Sequence, residues 1–264
     1  MSDRVRYEAP VGGGVAVVTL ARPEKRNALD PETIADLEEA LAAAEADERV
    51  ATILLAAEGR DFCAGADLAH IERTLDMSRR ELEQDALDMG RLFLHMRRLP
   101  KAIVAAVQGN ALAGGAGLAT ACDIMLAADD ANFGYPEIHI GFVPAMVMTM
   151  LVRAVGEKRA FALVASGHRI GAREAMEIGL VHTVFSRHTF ADDSLAFAAD
   201  LATRSRTSMA LTKRLLYELD ELTFAEGIDR GASVNADARS TEDMRAGVRA
   251  FLARRAAPMS PEAQ

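Results

Sequence analysis

The chain has 264 residues, half of them hydrophobic, with a net charge of −9, no Trp and two Cys. That length is ample for a large buried core, and the acidic balance disfavours nonspecific nucleic-acid binding. Two Cys make no disulfide framework, no apolar run approaches the roughly 20 residues a membrane helix needs, and no secretory leader is visible, so a soluble cytoplasmic protein without membrane or nucleic-acid partners is expected.

Val5 to Pro10 and Val15 to Leu20 flank Gly12-Gly13-Gly14 and read as a β-hairpin. Asp30-Pro31 opens a helix to about Asp47, with Asp as N-cap, Pro in the first turn and Ile34, Leu37, Ala40 and Leu41 as its apolar face. Val50 to Ala57 is a strand. Ser78 to Arg98 reads as a long helix, with Leu82, Ala86, Met89, Phe93 and Met96 at helical spacing. Ile103 to Val107 and Ile124 to Ala128 are strands, separated by a glycine-rich turn and a short helix, Leu118 to Cys122. Ala145 to Val155, Glu157 to Ser166 and Gly171 to Leu180 read as helices, and Val181 to Phe185 as a strand. From about Thr189 the pattern is helical. Alternating strands and helices followed by helices alone imply an α/β core, residues 1–190, and a helical C-terminal region, residues 191–264.

The run Gly109-Asn110-Ala111-Leu112-Ala113-Gly114-Gly115-Ala116-Gly117 is the most informative segment. It joins a strand to a helix start, where backbone N–H groups lack internal partners and favour negative charge. The spacing fits neither a G-x-G-x-x-G dinucleotide turn nor a P-loop. Two readings remain: a tight packing corner, or a site for an oxyanion that gains charge during reaction. The second needs another donor. Residues 59 to 68, Gly-Arg-Asp-Phe-Cys-Ala-Gly-Ala-Asp-Leu, follow an apolar strand with small residues that let a ligand approach the backbone. Asp67 is placed to cap the helix that follows.

Together these motifs resemble the enoyl-CoA hydratase/isomerase (crotonase) family. The resemblance begins at Arg22-Pro23-Glu24-Lys25-Arg26-Asn27-Ala28-Leu29. It continues through the Ala-Gly-Ala-Asp-Leu loop, Lys101 to Gly109, the Ala-Gly-Gly turn, Ala121-Cys122-Asp123 and Phe133-Gly134-Tyr135-Pro136-Glu137, and ends at Ser240 to Gly247. It implies a spiral of ββα units with a C-terminal helical trimerisation region, in a homotrimer or a dimer of trimers. It implies an acyl-CoA thioester substrate, with coenzyme A carried by the substrate and no further cofactor or metal. The thioester oxygen is then held by the Ala66 and Gly114 N–H groups. Glu137 maps onto one family glutamate, in an apolar setting that raises a carboxyl pKa toward working pH. The other family glutamate maps onto Gly117, a departure.

One glutamate leaves three reactions open. These are hydration of a 2-enoyl-CoA (branched or methylglutaconyl-like), the favoured reading; Δ3,Δ2-enoyl-CoA isomerisation; and acyl-CoA decarboxylation. RNA binding, found in one family branch through a Lys-rich first helix, is disfavoured by the Lys-free helix Asp30 to Glu48. Ala64, Asp67 and Leu68 map to the substrate loop. Lys25 and Arg26, with Arg22, are either coenzyme A phosphate contacts or a solvated loop, and Arg254 matches a basic position reaching coenzyme A. His139 shares a face with Glu137 if the segment is extended, which makes it an auxiliary acid–base candidate against a packing role. Cys63 reads as a small loop residue rather than a nucleophile, Asp123 as a structural hydrogen-bonding group, and Met146, Met148 and Met150 as core or acyl-pocket lining.

Overall fold

The computed structural model describes residues 3–10 and 13–256, with side chains as far as residue 253. The chain divides after Thr203 into two compact units.

The first unit is built on two layers of strands. In the larger sheet, β1 (Val5–Glu8) pairs antiparallel with β2 (Val15–Leu20). Four parallel neighbours follow: β3 (Thr52–Ala57), β4 (Ala102–Val107), β6 (Ile124–Ala128) and β9 (Thr183–Phe185). The second layer holds three short strands, β5 (Asn110–Leu112), β7 (Asn132–Gly134) and β8 (Arg169–Gly171), with β5 and β7 parallel. Each passage through the layers ends in a helix. Strand β4 leads to β5 and then α4 (Gly114–Ala121); β6 leads to β7, a 3-10 turn (Pro136–Ile140) and α5 (Ala145–Val155). Isolated parallel bridges, Cys63 to Ala111 and Leu29 to Ala66, extend the second layer to the earlier passages. Those end in α1 (Pro31–Ala46) and α2 (Leu68–Thr74), and α3 (Arg79–Arg98) follows α2. The result is a staircase of strand–strand–helix steps.

The local causes are those the sequence suggests. Asp30 Oδ1 accepts from Thr33 N–H at 2.8 Å, capping α1, and Leu37, Ala40 and Leu41 bury its inner face. Ser78 and Glu81 form a capping box at the head of α3. Only the second half of α3 is buried, through Leu92, Phe93 and Met96; Leu82 is exposed. Every residue of β4 is buried, since helices cover both faces of the sheet. Ile103, Ala105 and Val107 join the main core, while Val104 and Ala106 meet Phe190 and Ala198 of α8 (Phe190–Ala202) on the opposite face. Helix α8, which the sequence groups with the closing helices, is thus a layer of the first unit.

Strands β5, β7 and β8 are absent from the sequence reading, being too short for an alternating pattern to register. Helix α4 starts at Gly114 instead of Leu118. Its glycines read locally as a turn, but close packing draws them into the helix: a Cβ on Gly115 would lie 2.4 Å from Cys63 O.

The second unit contains α9 (Arg206–Glu218), α10 (Phe224–Ser240) and α11 (Glu242–Ala256). Thr223 and Glu226 form a capping box for α10, and Arg230 Nε donates to Glu218 Oε2 at 2.6 Å, tying α10 to α9. Leu216, Phe224, Ile228, Phe251 and Leu252 are exposed.

Candidate active site

The backbone of the glycine run and that of the 63–67 loop meet. Strand β5 ends at Leu112, Ala113 takes φ 50°, and α4 starts at Gly114. A Cβ built on Gly114 would lie 4.0 Å from Ala66 N and 3.9 Å from both Leu29 Cδ1 and Met89 Cε. Gly65 makes the approach feasible. It sits at φ 97°, and a side chain there would collide with Ala113 Cβ and Leu112 O, each at 2.9 Å. Among the described residues, neither the Ala66 nor the Gly114 N–H has a protein acceptor, and neither residue is buried. These are two open donors in adjacent segments, one on the first turn of a helix, the kind of group that stabilises a partly charged oxygen.

Glu137 arrives from the neighbouring step. Strands β5 and β7 run side by side with Leu112 opposite Gly134, and Ala113 N–H donates to Gly134 O at 2.9 Å. The 3-10 turn that starts just beyond carries Glu137, closed by a bond from Phe142 N–H to Glu137 O at 2.9 Å. The Glu137 side chain is buried, 7% exposed, and its Oε2 lacks a hydrogen-bond partner. Burial pushes its pKa above the ordinary carboxylate value. A buried carboxyl with a raised pKa and two open backbone N–H groups therefore lie on adjoining steps of one staircase.

The sequence matches the enoyl-CoA hydratase/isomerase family over residues 11–260. The chain belongs to that family. A Thermus thermophilus relative, "Putative enoyl-CoA hydratase", is 43% identical over 92% of this chain and 96% of its own length. An Escherichia coli relative, 1,2-epoxyphenylacetyl-CoA isomerase, is 34% identical over 92% and 93%. The solved enoyl-CoA hydratase of Mycobacterium smegmatis superposes with a TM-score of 0.90 at 30% identity, covering 96% of this chain and 97% of that one. The staircase is the crotonase fold, and the chain is an enzyme of the enoyl-CoA hydratase/isomerase family.

Within this family frame, the surroundings of Gly117 stand out. A Cβ there would lie 2.4 Å from Val147 Cγ2 and 3.4 Å from Phe93 Cζ. The space for a side chain at 117 is thus occupied by α5 and α3, and its lining is apolar. Sequence reasoning missed Val147 and Phe93 as neighbours of Gly117. A glycine inside a helix is the one local signal of such a close approach.

His139 does not stand beside Glu137. Its segment is a 3-10 turn, not extended, so residues two apart point in different directions. His139 is exposed, and its ring lies against Gly167, whose Cβ would meet Nε2 at 2.6 Å. This corrects the premise for an auxiliary acid–base role and fits packing instead. Cys63 is fully buried and burial pushes its thiol up to about 12, the setting of a structural residue. Asp123 Oδ2 accepts from Ile103 N–H at 2.7 Å.

The basic residues separate. Lys25 and Arg26 are exposed, and Arg26 O accepts from Ala64 N–H at 3.0 Å, so their turn adjoins the 63–67 loop. Arg22 is engaged inside the protein, with its side chain 13% exposed and bonded to Asp30 and Asp67. Asp67 also caps α2 by accepting from Ala69 N–H at 2.9 Å, while Leu68 is exposed beside it. The Arg254 side chain lies outside the described residues. Among the described residues, no three His, Cys, Asp or Glu gather as a metal-binding group.

Proposed function

We propose that this enzyme adds water to a 2-enoyl-CoA, with Glu137 as its acid–base group. The observation that carries the reading is the buried Glu137 carboxyl, its Oε2 without a partner, one step from the Ala66 and Gly114 donors. In the ionised form, Glu137 takes a proton from water as the oxygen bonds to Cβ of the substrate. The electron pair of the double bond moves to the thioester oxygen, where the two N–H groups stabilise it; one such donor is typically worth about 2.7–4 kcal/mol. The enolate collapses as Glu137 returns the proton to Cα, which regenerates the carboxylate and completes the addition of H and OH. A raised pKa suits a group that must hold and release the same proton. Met89, Phe93, Val147 and Leu29 are apolar neighbours suited to a branched acyl group, methylglutaconyl-like substrates included.

A second reading is favoured by the apolar lining at Gly117. Without a polar group there to hold water, Glu137 would move a proton from C2 to C4 of a 3-enoyl-CoA, giving the conjugated isomer through the same enolate. The exposed apolar residues of α9 to α11 support a homotrimer or dimer of trimers, testable by light scattering. Lys25 and Arg26 are assigned to the coenzyme A phosphates, and the cytoplasm is the expected compartment.

The deciding experiment is an acyl-CoA panel in heavy-oxygen water, followed by mass spectrometry. Hydration incorporates the label, isomerisation leaves the mass unchanged, and decarboxylation loses carbon dioxide. Label in the product supports the first reading. No turnover of any 2-enoyl-, 3-enoyl- or 3-hydroxyacyl-CoA contradicts both.

A further inference from the structure

The N–H of Ala66 is useful to an oxyanion only if it is aimed, and Ala66 has no side chain that aims it. Its neighbours are held by Leu29: Leu29 N–H donates to Gly65 O and Asp67 N–H donates to Leu29 O, both at 2.8 Å. The residues on either side of Leu29 are in turn held by one guanidinium. Arg22 Nη1 donates to Ala28 O at 3.0 Å and to Asp30 Oδ2 at 2.8 Å, while Nη2 donates to Asp67 Oδ2 at 3.2 Å. Arg22 therefore touches the chain on both sides of Leu29 and the residue that follows Ala66.

The base of this clamp is itself fixed. Arg22 N–H donates to Asn27 Oδ1 and Asn27 N–H donates back to Arg22 O, each at 2.9 Å. Asn27 is buried at φ 54°, and its Nδ2 donates at 2.9 Å to both Glu58 O and Asp61 O, at the root of the oxyanion loop. Side-chain exposures are 13% for Arg22, 12% for Asp30 and 10% for Asp67. Arg4 shares Asp30, with Nη1 to Oδ2 at 2.7 Å. Burial alone would push the Asp67 carboxyl up, but the Ala69 N–H and the Arg22 guanidinium outweigh it and hold it below the ordinary value. The cluster is ionised, desolvated and geometrically divergent, which a planar fork can satisfy and a point charge cannot.

We propose that Arg22 is a positioning residue for catalysis: by locking residues 28–30 to residues 65–67, it aims the Ala66 N–H at the thioester oxygen. The proposal rests on the oxyanion reading of Ala66 and Gly114. The competing account is that Arg22 only neutralises Asp30 and Asp67.

The test uses the full chain and a para-amino-substituted cinnamoyl-CoA, whose absorption band moves to the red when its carbonyl is polarised. Arg22→Lys keeps the charge and removes the fork. Asp67→Asn keeps the helix cap and volume and removes the ion pair, and serves if Arg22→Lys does not fold. Each folded variant is expected to bind the probe within about threefold of wild type, to lose half or more of its red shift, and to lose about tenfold or more in kcat with KM little changed, as misaimed donors do. A wild-type red shift kept in full by both variants, with kcat unchanged, overturns the role of Arg22 alone. A wild-type protein that leaves the probe band unmoved overturns the oxyanion reading, and this inference with it.

Discussion

Glu137 shows how a side chain can be unfavourable for stability and suited to chemistry at once. Its Oε2 is buried without a partner, so ionisation is penalised and the folded-state pKa lies above the ordinary carboxylate value. A raised folded pKa means that the native state binds this proton more tightly than the unfolded chain. The associated stability is present below the unfolded pKa of about 4.3 and is lost as pH rises through the folded pKa. Glu137→Gln cannot ionise and escapes that loss. Its melting temperature relative to wild type should rise with pH above about 4 and level off once the native carboxyl is ionised. Thermal melts across pH check this, and a difference independent of pH would contradict it. Asp67 has the opposite sign: its depressed pKa gives stability that is lost as pH falls through the folded value.

At the scale of elements, the contact of α4 with α5 decides what position 117 can hold. A Cβ at Gly117 would press on Val147 Cγ2 at 2.4 Å. Gly117→Ala should therefore destabilise the protein, by about 1–3 kcal/mol, although alanine is the better helix former. Val147→Ala removes the obstructing methyl, so the double variant should be more stable than the sum of the single effects by about 1 kcal/mol or more. Denaturant unfolding of all four proteins measures that coupling, and additive effects would refute the contact. The sequence carried the long elements well, since α1 announces itself by its Asp30 cap and both α1 and α3 by their helical spacing. It carried the three-residue strands poorly, because pairing across the second layer, not any pattern of their own, makes them strands. The sequence left His139 open between an acid–base and a packing role, and Arg22 between a coenzyme A contact and a solvated loop. The 3-10 turn at Glu137 and the burial of Arg22 against Asp67, far away in sequence, are tertiary outcomes. The glycine-rich segments were legible because close backbone approach excludes a side chain, as at Gly65 and Gly115, whereas Glu137 was singled out only through the family resemblance.

At the largest scale, the two-layer staircase of the first unit brings residues far apart in sequence onto adjoining steps. Each step crosses the second layer before its helix, so β5 leads to Gly114, the bridge at Leu29 holds Ala66, and β7 leads to Glu137 at adjoining places. Helix α8 packs on the face of the larger sheet opposite the main core. On the proposed function, Glu137 moves the proton in whichever enoyl-CoA reaction the enzyme performs. The direct measurement compares wild type with Glu137→Gln on the best acyl-CoA substrate, at matched thioester occupancy. General acid–base catalysis predicts a fall in kcat of about 100-fold or more with substrate binding retained. A Glu137→Gln enzyme that turns over at the wild-type rate would contradict the account.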